Sequence, residues 1–158
     1  MKTYLAVFAV AVLGVIGFAF TKKASVEKID KQEMTTAGPN KVKQMNKELF
    51  KSTILDYTTA EGWANKSGKP VVIDLYADWC GPCRMIAPIL KDLANDYEGQ
   101  VDFFKVDVDK EKELASLFQA RSIPLVVLIT KAGEVKPMVG AQGKAAYKKE
   151  IYSFLLGK

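Results

Sequence analysis

From residue 70 onward, short apolar runs alternate with stretches in which apolar residues recur every three or four positions. The Ser67-Gly68-Lys69-Pro70 break introduces a predicted strand, Val71 to Ala77. Met85, Ile86, Ile89, Leu90, Leu93, Ala94 and Tyr97 then mark one face of a helix ending near Gly99, with a kink expected at Pro88. A second strand fits Val101 to Val106 and a helix lies near Lys112 to Gln119. Leu125 to Ile129 reads as a third strand, Lys131-Ala132-Gly133-Glu134 as a turn and Val135 to Val139 as a fourth strand. Lys144 to Leu156 closes the chain with a helical pattern. Upstream, Val42, Met45, Leu49, Phe50, Thr53, Ile54 and Tyr57 recur near helical spacing. They predict a helix, or a helix leading into a short edge strand, with another helical turn around Thr59, Glu61 and Trp63. Strands separated by helices, then a hairpin and a final helix, describe a three-layer α/β domain over residues 41–158.

The first 20 residues follow a different pattern. Lys2 precedes an apolar run from Tyr4 to Phe20, and Lys22 and Lys23 follow it. A basic start before an apolar segment is the order of an export signal, and Gly17 and Ala19 stand at the spacing of a cleavage site. About 17 apolar residues also reach the lower edge of what spans a bilayer, so residues 1–20 read as a signal peptide or an uncleaved membrane anchor. No cysteine lies near residues 15–25, which excludes lipid attachment through a cysteine there. Residues 21–40 are polar, with isolated Val26, Ile29 and Met34, and are expected to form a flexible leader.

Charge and composition narrow the function classes. The net charge is +5, but basic and acidic side chains are interspersed and no dense Lys/Arg stripe supports nucleic-acid binding. With no histidine in the chain, every metal site or nucleophile–base pair that needs an imidazole is excluded, and no metal is expected. No nicotinamide or flavin signature appears either, so no cofactor is expected. The only two cysteines, Cys80 and Cys83, stand three positions apart at the junction between a predicted strand and a predicted helix. A disulfide across so short a ring constrains little unfolded chain, which makes a redox or reactive centre a better reading than a structural staple.

The run Asp74-Leu75-Tyr76-Ala77-Asp78-Trp79-Cys80-Gly81-Pro82-Cys83 resembles the thioredoxin family, and Ser122-Ile123-Pro124, Gly133 and Gly140 stand where that family has its substrate-side loop and glycines. The resemblance covers residue 45 to the end. It implies a mixed central sheet flanked by helices, the cysteines at the start of a helix, and a cis bond before Pro124 facing the disulfide. A cis bond costs far less before proline than before any other residue. It further implies that Cys80 attacks, its thiolate favoured at a helix amino terminus, and that Cys83 resolves the mixed disulfide. By the same resemblance, Asp74 sits buried behind the cysteines and moves protons to and from Cys83, with Lys105 biasing its charge. Lys105 also reads as an outward-facing strand residue. Trp79, Gly81, Pro82, Ile123, Pro124 and Gly140 would form the surface that receives a partner chain. Tyr76 departs from the tryptophan common at its position in the family.

An export segment and a Gly-Pro spacer together predict a periplasmic or otherwise extracytoplasmic reductant of exported protein disulfides. It would be a monomer, fed by a membrane thiol carrier as electron donor. Two other readings stand beside it: a disulfide donor, and a client-binding module in which redox turnover is incidental. Direction depends on potential against the partner pool and not on the motif.

Overall fold

A computed structural model describes residues 41–55 and 65–158, which run in the order β1 (Val42–Gln44), α1 (Lys47–Thr53), β2 (Val71–Tyr76), α2 (Gly81–Asp96), β3 (Asp102–Asp107), α3 (Lys112–Leu117), β4 (Leu125–Ile129), β5 (Val135–Val139) and α4 (Lys144–Glu150). The expected export segment, the leader and the helical turn around Thr59–Trp63 lie outside the described residues. The five strands form one mixed sheet in the order β1-β3-β2-β4-β5. β1, β3 and β2 run parallel, β4 is antiparallel to β2, and β5 is antiparallel to β4.

β2 takes its central place because both of its faces are apolar. Successive side chains of a strand point to opposite faces, and strands covered on both sides read as continuous apolar runs. Val71, Ile73 and Leu75 join Phe104, Val106, Leu125, Val127 and Ile129 in one core, closed by Phe50, Ile54 and Leu114 from the α1 and α3 side. Val72 joins Phe103, Val126 and Leu128 in the other, closed by Ile86, Leu90 and Leu93 of α2 and by Tyr147 of α4. These are the three layers. Asp74 is even-numbered like Val72, so it points into the layer beneath α2 and α4.

Two sequence expectations need correction. Val42–Gln44 is a strand and not helix, and it precedes α1, the reverse of the expected helix-then-strand order. Asn46 is the reason, because its side chain accepts the backbone N–H of Leu49 at 2.9 Å and starts the helix only after it. Val42 and Met45 mimic a helical i, i+3 pair, but the backbone N–H of Met45 is given to the carbonyl of Lys105 on β3 at 2.9 Å. The closing segment is α-helical only through Glu150 and then widens into a π-type turn over Ile151–Leu155, with Leu156 N–H donating to the Ile151 carbonyl. Elsewhere the expected strands and helices stand within about two residues of their predicted bounds. α2 runs unbroken through Pro88.

Because Ile73 is fully buried on the central strand, Ile73→Ala is expected to lower stability by about 2–5 kcal/mol. Urea unfolding followed by circular dichroism should show an earlier midpoint at an unchanged slope.

Candidate active site

The end of β2 delivers the chain to Cys80, which caps α2. Its backbone N–H donates to the Ala77 carbonyl at 3.1 Å, and its sulfur accepts the N–H of Cys83 at 3.2 Å. Pro82 stands in the first turn, where its missing N–H removes no helical hydrogen bond and its fixed φ already suits the helix. Cys80 and Cys83 are joined in a disulfide, their Cα atoms 5.3 Å apart. A sixteen-residue helix begins at this pair, so any thiolate at Cys80 lies against the Cys83 N–H and the positive end of the helix dipole. A side chain at Gly81 would meet little, its nearest neighbour being the Arg84 guanidinium at 3.9 Å. The approach to the sulfur from that side is therefore open.

Around the pair, Ala77, Cys80 and Cys83 form a small buried cluster against which Tyr76, Val108 and Ile123 pack. The Ile123–Pro124 bond is cis, as the family resemblance implied. Gly140 donates its N–H to the Pro124 carbonyl at 2.8 Å with φ at +80°, a conformation that favours glycine although a side chain there would meet nothing. Ile123, Pro124 and Gly140 are thus linked to the cysteine cluster by packing and by one backbone hydrogen bond. Trp79 is 69% exposed, and its indole N–H donates to Oδ2 of Asp109 at 2.8 Å. Arg84 donates to the backbone carbonyl of Asp78 at 2.9 Å.

Asp74 lies behind the disulfide on the central strand, only 5% exposed, and its Oδ1 has no hydrogen-bond partner. Burial raises its pKa to about 7, while the positive charge of Lys105 pulls in the opposite direction. Lys105 is its register partner on β3. A hollow of about 180 Å³ is lined by both residues together with Tyr76, Cys83 and Arg84. A neighbouring hollow of about 230 Å³ shares Asp74 and Lys105 and opens past Val42, Pro88 and Lys91. Asp74 therefore sits in a space shared with Cys83, and Lys105 faces that space instead of simply pointing outward.

Three neighbours of the site escaped sequence reasoning. Asp109 holds Trp79. Tyr147, on α4, is fully buried and its hydroxyl accepts the N–H of Gln142 at 3.3 Å. Burial foremost raises the Tyr147 pKa, and the negative charge of Asp74 adds to it. Gln44, on β1, accepts from the Tyr76 hydroxyl at 3.4 Å. Only Tyr147 left a trace in the sequence, a polar atom on an otherwise apolar helix face.

Taken together, the parts allow one chemistry: a sulfur pair that opens and closes beside a buried carboxyl that binds a proton near neutrality. A family model described as Thioredoxin matches residues 41–153. Thioredoxin of Borreliella burgdorferi is 36% identical over 110 residues, covering 70% of this chain and 94% of that protein. Thioredoxin of Mycobacterium tuberculosis is 45% identical over 85 residues, 54% of this chain and 73% of that protein. Thioredoxin 1 of Nostoc is 34% identical over 112 residues, 71% of this chain and 95% of that protein. The family match takes in β2, α2 and the cis-proline loop in one span, and with it the chain belongs to the thioredoxin family, a thiol–disulfide oxidoreductase working through Cys80 and Cys83.

Proposed function

We propose that this protein reduces disulfides of exported proteins, with Cys80 attacking and Cys83 resolving. The observation that carries the reading is the Cys80–Cys83 pair at the first turn of α2 with the Asp74 carboxyl, its Oδ1 without a hydrogen-bond partner, buried behind it. The exported setting rests on the Lys2-led apolar run of residues 1–20 and the polar leader after it.

The cycle begins with the reduced pair. The Cys80 thiolate attacks one sulfur of a client disulfide, the other client sulfur leaves as thiolate, and a mixed disulfide forms. Trp79, Ile123, Pro124 and Gly140 would hold the client chain there, with Gly81 and Pro82 leaving the sulfur accessible. Asp74 then takes the proton of the Cys83 thiol. The Cys83 thiolate attacks the Cys80 sulfur, the client's second sulfur leaves and is protonated, and the enzyme is left with the disulfide described above. Two electrons have moved from the cysteine pair to the client, and they must be restored by a thiol donor. A membrane thiol carrier is the donor class that suits an exported domain without a nicotinamide or flavin signature.

The proton affinity of Asp74 fits this exchange, since a carboxyl with a pKa near the working pH can both accept and return a proton. The same burial links stability to pH. The folded carboxyl binds its proton more tightly than the unfolded one, so its ionisation adds no cost below pH 3.8. Its destabilising contribution grows as pH rises from 3.8 and is complete above about 7.

The equilibrium potential of Cys80–Cys83 against a glutathione or dithiothreitol series is expected near the benchmark for reducing thioredoxins, about −270 mV. A value near about −120 mV, the benchmark of a strong disulfide donor, would reverse the direction. Asp74→Asn should stabilise the oxidised protein at pH 8 by up to about 4 kcal/mol and leave it little changed at pH 4, measured by urea unfolding. The same variant should slow client reduction at least about tenfold at pH 7, seen as slower release of the mixed disulfide in stopped flow. Cys80→Ser should abolish client reduction; client binding that persists with no reductive role in the wild type would favour a binding module instead. The intact mass of the mature protein is expected to correspond to cleavage after Ala19, whereas the mass of the full chain would make residues 1–20 an anchor.

A further inference from the structure

Asp74, Lys105 and Gln44 occupy one row across three parallel strands, since Asp74 pairs with Lys105 and Lys105 with Gln44. Tyr76 stands two residues beyond Asp74 on β2, on the same sheet face. Its hydroxyl reaches across β3 to Oε1 of Gln44 at 3.4 Å, and the Lys105 ammonium sits over its ring, 5.3 Å from the centroid. The side chain thus forms a strap from the central strand to the edge strand with Lys105 beneath it.

Resting on the proton role given above to Asp74, we propose that Tyr76, tied down by Gln44, is a positioning residue that holds the Lys105 ammonium against its ring and so limits how closely that charge approaches the Asp74 carboxyl. An aromatic face attracts a cation within about 6 Å, and this one competes with the carboxyl for a single ammonium on a flexible stem. The outcome of the competition is visible in Asp74, whose Oδ1 is buried without a partner although a lysine stands beside it in register. An ammonium free to swing inward would form the ion pair and hold the carboxyl ionised, leaving it a poorer proton acceptor for Cys83. The link to Gln44 is made by the phenol hydroxyl, a group that a tryptophan at this position does not carry.

Other groups around Asp74 do not replace this control. From α2, Cys83 is in the disulfide, Arg84 is bonded to the Asp78 carbonyl, and Lys91 stands at the mouth of the neighbouring hollow. Asp78 also lines the hollow. From α4, Tyr147 accepts from the Gln142 backbone. Lys105 is the charged group that lowers the proton affinity of Asp74, and Tyr76 is the ring it rests on.

The test is the carboxyl titration of Asp74 in the oxidised, full-length protein labelled with carbon-13 aspartate, the resonance being assigned by its loss in Asp74→Asn. Tyr76→Leu is expected to lower the proton affinity of Asp74 about tenfold. Gln44→Ala should lower it in the same direction by less, and Lys105→Met should raise it. In the Lys105→Met background, Tyr76→Leu should have no further effect. An unmoved titration in Tyr76→Leu overturns the proposal, and so does an equal fall with and without Lys105, which would mean that water entering the hollow is the cause. If Tyr76→Leu fails to fold, Gln44→Ala at its exposed strand position decides alone, a fall supporting the strap and an unchanged titration overturning it. A shifted titration with an unshifted pH profile of client reduction would uphold the strap and count against the proton role of Asp74.

Discussion

Everything in this fold depends on a central strand covered on both faces. β2 alternates Val71, Ile73 and Leu75 toward one core with Val72 toward the other, so helices must pack on each side before the strand is dry. That requirement places α2 directly after β2, because the chain must turn back over the sheet at once. The turn occurs at the cysteines. Their position at the head of a helix that buries one face on the sheet follows from the need to cover the sheet as much as from their chemistry.

The same alternation makes Asp74 costly. At an even position of β2 it enters the layer where Val72 packs against α2, and its carboxyl loses water without gaining a hydrogen bond at Oδ1. In a domain held together by small differences between large terms, such a group is a sizeable local cost. The hollow shared by Asp74, Lys105 and Cys83 is where that stability has been exchanged for a carboxyl whose proton affinity lies near neutrality. Beside the disulfide, Ile123 of the cis-proline loop packs against the cysteine cluster, and the left-handed Gly140 is hydrogen-bonded to that loop at the Pro124 carbonyl. The cysteine pair is consequently held between a buried carboxyl on one side and the Ile123–Pro124 loop on the other.

Much of this was legible before any coordinates. β2 and β4 follow from apolar runs that Pro70 and Pro124 introduce, β5 from the turn at Gly133 before it, and the face of α2 from its 3.6-residue repeat. Cys80, Cys83 and Asp74 stand out because each breaks a pattern: a close thiol pair at a strand–helix junction, and an acid within an apolar strand. β1 was not legible. Three residues carry too short a pattern to separate strand from helix, and the Asn46 cap that ends the ambiguity is an everyday polar residue. Asp109 and Gln44 were also silent, because a hydrogen bond between distant segments leaves no periodic mark along the chain.

The division has a physical basis. Periodicity, turn chemistry and the Trp-Cys-Gly-Pro-Cys run are local, and by themselves they determined the layered α/β plan, the sulfur pair and the helix on which it sits. Tertiary structure alone decided which strand became the edge, how β3 came between β1 and β2, and which side chains met across them. It also decided the state of Asp74, since the proton affinity of a carboxyl depends on how much water is removed around it and on where the nearest ammonium is held. Neither quantity is written in the spacing of residues 74, 76 and 105; both arise only when β2 and β3 pair in register and α2 closes over them.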